Sequence, residues 1–314
     1  MATPASASMG RDGVSPAEGH LLASRAYAVG LAGEAAVLEV PAWGSYVVRR
    51  GLGDGLEDAA GVYPLSVFEA PRDFAGGLAQ LAEARFVSVV MAPDPLLTDA
   101  DQLARVFPVL RPYKIHHLID PARGPYAPDK HHRYEIRRAW RSCTVELVPL
   151  ATHLDDWRAL YAGLVALRQV SGPADFSDAY FQVLADSGSV VAFVARVDGA
   201  CAAMSLWFAA EGVVYNHLNA ANPLGYARGA NFALYDAAIA HFLGAGVINL
   251  GAGLSMGQGA DGLAAFKRGF ANASVQSYIC GAVLDPARYA DLSRGRPDDG
   301  YFPAYRAPAA TPEA

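Results

Sequence analysis

Lysine is scarce in this sequence: of 25 lysines and arginines together, only Lys114, Lys130 and Lys267 are lysine. In a chain that writes arginine for its ordinary surface cations, a lysine is either an accident or a chemical choice. Cysteine is equally sparse. Cys143, Cys201 and Cys280 are odd in number and widely spaced within apolar segments, which excludes a disulfide framework and zinc-finger spacing and fits reduced core thiols. No apolar run approaches the ~20 residues of a membrane span, and the first twenty residues lack the apolar core of a secretory signal, so a cytoplasmic protein without a membrane partner is expected. The net charge of −6 argues against a surface coated for nucleic acid and against DNA as a partner, while leaving room for a local basic patch. The glycine-rich stretch 251–262, GAGLSMGQGADG, has neither the phosphate-loop lysine spacing nor the dinucleotide fingerprint. No cofactor is implied. Adjacent histidines at 116–117 and 131–132 have no carboxylate or cysteine spacing to complete a metal site.

What is present is a globular composition, 53% hydrophobic and 18% charged, over 314 residues, more than the ~100–200 of one usual domain. The expected organisation is a loose tail at 1–19, a first lobe over 20–128, a second over 129–285 and a proline-punctuated tail at 286–314 that Tyr301, Phe302 and Tyr305 pin to the body. In the first lobe, short apolar runs at 25–32, 34–41, 45–51, 62–70, 85–93 and 111–120 alternate with weak helical stretches at 73–84 and 98–107, which is mixed α and β. The second lobe is cleaner: strand (143–150), two helices (153–168 and 176–188), three antiparallel strands (189–197, 201–209, 213–219), helix (227–246), strand (247–253), helix (261–270) and strand (274–284). The helix over 227–246 carries Phe232, Tyr235, Ile239 and Phe242 at spacings of three and four.

Two local patterns point to chemistry. Strict alternation along VVYNHLN would put Tyr215, His217 and Asn219 on one strand face and Asn216 and Leu218 on the other; phenol, imidazole and amide together are costly to bury without partners, so that face suggests a cavity. The stretch DKHHRYEIRRAWRS, residues 129–142, reads as a basic helix capped by Asp129, on which Arg133, Arg137 and Arg141, four apart, gather as a phosphate-binding patch or a plain solvated face.

The element order of the second lobe resembles the GNAT acyltransferase fold. KHHRYEIRRAWRSCTVEL, ARGANFALYDAAIAHFLGAGVINLGAG and GLAAFKRGF, with AGVYPL at 60–65, are similar to the Fem-type, FemAB-like branch of that superfamily. The resemblance implies an α/β (α+β) fold of two GNAT-like lobes, the N-terminal one degenerate, each a mixed, mostly antiparallel sheet flanked by helices. It further implies that Lys267, the lysine of the phenylalanine-lysine pair, faces the donor's phosphate or the oxyanion of acyl transfer, and that Tyr63 lies in the branch's tyrosine-proline turn. Amide formation needs a group to orient or deprotonate the attacking amine, and His217 or Asn219 is the candidate, with a satisfied core histidine as the alternative for His217. Acetyl-CoA users of the superfamily hold pyrophosphate on an Arg/Gln-x-x-Gly-x-Gly/Ala loop; in PLGYARGANF that pattern is broken, Tyr226 and Asn231 standing at its ends, with Arg228 and Asn231 left as donor or acceptor contacts. The implied reaction is transfer of an aminoacyl group from aminoacyl-tRNA to the amine of a small-molecule acceptor, as in specialised metabolism. Alternatives are an acyl-CoA-dependent N-acyltransferase and a non-catalytic binding protein of the same fold.

Overall fold

In the computed structural model, which describes residues 19–169, 172–253, 261–297 and 300–307, eleven strands join into one continuous sheet. The elements in chain order are α1 (Arg25–Ala32), β1 (Val37–Val40), β2 (Ser45–Gly53), β3 (Leu56–Gly61), α2 (Phe74–Glu83), β4 (Ser88–Met91), α3 (Ala100–Val106), β5 (Val109–Ile119), α4 (Lys130–Ala139), β6 (Thr144–Pro149), α5 (Leu154–Arg168), α6 (Asp178–Asp186), β7 (Val191–Val197), β8 (Ala200–Ala210), β9 (Val213–Ala221), α7 (Pro223–Arg228), α8 (Ala230–Phe242), β10 (Val247–Ala252), α9 (Gly262–Phe270), β11 (Ala273–Val283) and α10 (Pro286–Ser293). The strand order is β1-β2-β3-β4-β11-β5-β10-β9-β8-β7-β6, antiparallel throughout except for β3 with β4 and β9 with β10. This is the mixed, mostly antiparallel sheet that the sequence leads one to expect.

The connectivity repeats. In each half, three antiparallel strands lead through a helical crossover to a strand parallel to the third, then through another helix to a last strand: β1-β2-β3-α2-β4-α3-β5, and β7-β8-β9-α7-α8-β10-α9-β11. The two last strands are exchanged. β5 pairs with β10 and β11 with β4, and the two pair with each other along the centre of the sheet, so the sheet is continuous through both halves.

The run at 25–32, apolar and bounded by turn signals, is helix α1 because Ser24 Oγ caps it by accepting from Tyr27 N at 3.2 Å. α1 packs on α6, and Leu22, Tyr27, Trp157, Tyr180, Leu206 and Phe208 form one core. On the other sheet face, α4, α8 and α9 bury Ile136, Trp207, Leu234, Tyr235 and Phe270. The helix over 227–246 is in fact two, α7 and α8, broken at Gly229, whose φ of 68° is left-handed. Asp129 does cap α4, accepting from His132 N at 2.8 Å, but the helix ends at Ala139.

Part of the C-terminal stretch is fastened as expected. Tyr305 Oη is 2.7 Å from Ser88 Oγ and donates to the fully buried carboxylate of Asp58 at 3.0 Å, where Arg306 and Arg50 complete an ion cluster. Residues 1–18, and 254–260 of the glycine-rich stretch with Ser255, lie outside the described residues.

Candidate active site

β9 and β10 stay paired for three residues only, Val213–Tyr215 against Val247–Asn249. Beyond them both strands are irregular. Leu206 and Trp207 on β8 oppose Leu218 and Asn216, so His217 is the extra residue of a bulge. The register of β10 against β5 shifts between Asn249 and Gly251, and Gly251 has a φ of 80°, a left-handed conformation that disfavours any side chain. The parallel strands part there, leaving a gap with Asn216 and His217 on one side and Gly251 to Gly253 on the other.

Lys267 enters this gap from α9. Its Nζ donates to Ala252 O at 2.9 Å and lies 2.9 Å from where a Cβ on Gly251 would stand, a point 4.0 Å from Asn216 O. Glycine at 251 therefore makes room for the ammonium. Lys267 is only 8% exposed, and burial pulls its pKa down to about 8, with Lys114 adding to the effect and Asp261 opposing it. Lys114 Nζ, on β5, donates to Gly253 O at 3.3 Å, and its pKa is likewise lowered by burial. Two of the chain's three lysines thus meet where β10 ends, and their mutual repulsion favours an anion beside them. On the same strand His116 Nδ1 pairs with Asn249 Oδ1 at 3.2 Å, and burial pulls its pKa to about 4, so it is neutral near pH 7. Among the described residues no three metal-ligating side chains converge. His132 is taken up by packing, its ring nitrogens facing Asp129 Oδ1 at 3.1 Å and Phe266 O at 2.8 Å.

His217 is half-buried and lies among Tyr27, Tyr180 and Phe208. Its Nε2 is hydrogen-bonded with Tyr180 Oη; Tyr180 Oη donates to Tyr27 Oη at 2.8 Å, and Tyr27 Oη donates to the Tyr63 carbonyl at 3.0 Å. Burial pushes the imidazole pKa down to about 3. The ring is neutral at every working pH and presents a lone pair.

The other expected site residues are placed as follows. The bulge at His217 reverses the alternation after it, so Asn219 turns away from Tyr215 and His217 to the α8 face and donates to Asn231 Oδ1 at 3.2 Å. That corrects the expected single face of Tyr215, His217 and Asn219. Tyr215 is sealed rather than lining an open cavity: it is 4% exposed, stacked on Phe208 with centroids 4.8 Å apart, and adjoins buried Asp94, whose carboxyl burial shifts upward. Tyr63 is half-buried against Phe176 and contributes its carbonyl to the tyrosine chain. Arg228 is exposed at the end of α7. Arg133 and Arg137 are exposed on α4, Arg133 donating to Pro128 O at 2.8 Å, whereas Arg141 lies past the helix end and so does not continue their face. Sequence reasoning missed Lys114, which carries the same scarcity signal as Lys267, and missed Tyr27 and Tyr180, which no local pattern marks.

The matching place in the first half is filled. β3 and β4 pair over Ala59–Ala60 and Val89–Val90, and beyond them Ser66 bridges to Pro93; a Cβ on Gly61 would fall 2.1 Å from Ser66 Oγ and 2.5 Å from Met91 Cβ. In the second half no such bridge follows the last paired residues, Tyr215 and Asn249, among the described residues.

Comparison with known proteins agrees with this geometry. The family profile described as an acetyltransferase (GNAT) domain matches residues 130–268. No curated protein matches the sequence. Among solved structures, the chain is similar to the C-terminal (DUF2156) domain of an Agrobacterium fabrum protein described as a lysylphosphatidylglycerol synthetase (18% identity, 80% of this chain and 84% of that one, TM-score 0.57). It is similar also to FemX (11% identity, 78% and 85%, TM-score 0.57) and to L-PGS from Bacillus licheniformis (14% identity, 76% and 80%, TM-score 0.54). At these identities the likeness is one of fold. The profile match makes residues 130–268 a GNAT acyltransferase domain, and the described chain shares its fold with FemX.

Proposed function

We propose that the protein transfers an aminoacyl group from aminoacyl-tRNA to the amine of a small-molecule acceptor. The observation that carries this reading is the pair Lys267 and Lys114 at the mouth of the β9–β10 gap: two ammoniums fixed on backbone carbonyls, in a chain with only one other lysine, form a preorganised site for the charge of an acyl donor and of the oxyanion formed as it reacts. In the reaction the acceptor nitrogen attacks the ester carbonyl, the new C–N bond forms and the C–O bond to the ribose breaks. The departing oxygen takes the bonding pair, and one proton lost from the nitrogen balances it. Lys267 holds the oxyanion, and His217, too weakly basic to keep a proton, orients the amine by accepting one of its N–H groups.

The donor reading is supported by the broken pyrophosphate pattern at 223–232, where α7 and Gly229 occupy the approach to α8. It is supported too by exposed Arg133 and Arg137, and by the likeness in fold to a protein described as a lysylphosphatidylglycerol synthetase. A second reading, an acyl-CoA-dependent N-acyltransferase, is favoured by the acetyltransferase description of the matching profile. Equilibrium binding to charged tRNA and to acetyl-CoA, each over a salt series, separates them. Salt-sensitive tRNA binding that Lys267→Ala weakens is expected; tight acetyl-CoA binding with only nonspecific RNA affinity would replace the tRNA reading with the acyl-CoA one.

A further inference from the structure

We infer that Tyr27 and Tyr180 are positioning residues that fix His217 in its Nε2–H tautomer and so leave Nδ1 as the lone-pair atom offered to the acceptor amine. The inference rests on the proposed role of His217 and deepens it. Its basis is a chain of hydrogen bonds with a forced direction. The Tyr63 carbonyl can only accept, so the Tyr27 hydroxyl hydrogen is committed to it. Tyr27 Oη can then only accept from Tyr180, which commits the Tyr180 hydrogen. Tyr180 Oη, its hydrogen spent, faces His217 Nε2 as an acceptor, so Nε2 must carry the imidazole proton. A neutral imidazole has one N–H, and Nδ1 is therefore bare. Nδ1 has no hydrogen-bond partner among the described residues, and the half-buried His217 ring sits at the β9 bulge where β9 and β10 have ceased to pair.

The chain reaches across the molecule. Tyr27 belongs to α1 at the beginning of the described chain, Tyr180 to α6, His217 to the β9 bulge and Tyr63 to the loop after β3. Both phenols are fully buried, and burial raises their pKa values, so they stay protonated and the direction of the chain does not reverse through loss of a hydroxyl hydrogen. The rings facing His217 are Tyr27 from α1, Tyr180 from α6 and Phe208 from β8, so the phenols supply the polar contacts of that face.

The test is long-range proton–nitrogen NMR on the whole protein labelled with ¹⁵N-histidine at pH 7, with His217 assigned by the loss of its signals in His217→Gln. The wild type should show Nε2–H and a bare Nδ1; an Nδ1–H signal overturns the inference without any variant being made. In Tyr27→Phe, a change that does not touch the His217 hydrogen bond, the Tyr180 hydrogen is released from Tyr27 and turns to Nε2, so His217 should switch to Nδ1–H. Retention of Nε2–H in a folded Tyr27→Phe protein would also overturn it. Turnover by the same variant should fall ~10-fold or more in kcat with KM little changed. A tautomer that switches while kcat stays at the wild-type value would uphold the chain's direction and overturn the role of Nδ1 in turnover, leaving the donor reading to be judged by its own binding experiment.

Discussion

Replacing Lys267 with methionine should make the protein more stable and much less active, and the stability gain should disappear at high pH. The structure sets the magnitudes. Burial lowers the ammonium's pKa from 10.5 to about 8, and at 1.36 kcal/mol per unit that corresponds to about 3 kcal/mol lost by holding the charge in the gap at pH 7. Methionine keeps the apolar stem but leaves Ala252 O without its donor, which costs ~1–2 kcal/mol. A net gain of ~1–2 kcal/mol for Lys267→Met at pH 7 results. Between pH 8 and 10.5 the folded wild type has released the proton that the unfolded chain still binds, so wild-type stability climbs with pH relative to the variant and the gap closes. Urea unfolding of both proteins at pH 7 and at pH 10 measures this directly, and comparison at each pH cancels the other titrating groups. Turnover should fall ~10²-fold or more because a preorganised charge has been removed from the transition state. A variant destabilised equally at both pH values would refute the claim that the ammonium is held at a desolvation penalty.

The wild-type rate should itself decline as pH rises through about 8, where Lys267 gives up its proton, and a kcat/KM profile between pH 6 and 10 reads this. Arg133→Ala combined with Arg137→Ala should lower the slope of log affinity for charged tRNA against log salt by about 1.4–1.8, with little effect on folding. Arg306→Ala removes one of two guanidiniums on the fully buried Asp58 carboxylate and should cost ~2–4 kcal/mol in a denaturant melt, whereas an effect below ~1 kcal/mol would mean that Arg50 and Tyr305 suffice. Gly269→Ala would place a methyl 1.9 Å from the His132 ring where α9 meets α4, and should destabilise by ~3 kcal/mol or more or abolish soluble expression.

Lys267 was legible in the sequence because two signals coincided on it, the scarcity of lysine and the phenylalanine-lysine pair that carries the Fem-type resemblance. Lys114 carried the first signal alone, and nothing in its neighbours announced that β5 would lie beside β10 and bring it to Gly253 O. His217 was found through alternation, yet the alternation holds only up to His217 itself. A one-residue bulge is nearly invisible in a pattern of period two, and it moved Asn219 to the opposite face and into contact with Asn231. The tyrosine chain was beyond reach because its members are 153, 37 and 36 positions apart in sequence and meet only in the folded core.

What the sequence determined by itself are the properties set by near neighbours along the chain. The helix start at Asp129 and the order of strands and helices in the second half each depend on a few consecutive residues, and the fold class follows from that order. Tertiary structure decided what required distant parts to meet: the exchange of β5 and β11 at the centre of the sheet, the plug of Ser66 that closes the first gap, and the parting of β9 from β10 that opens the second. It also decided the chemistry of the site, since the pKa values of Lys267 and His217 are lowered mainly by burial, and burial is a property of the whole fold rather than of any stretch within it.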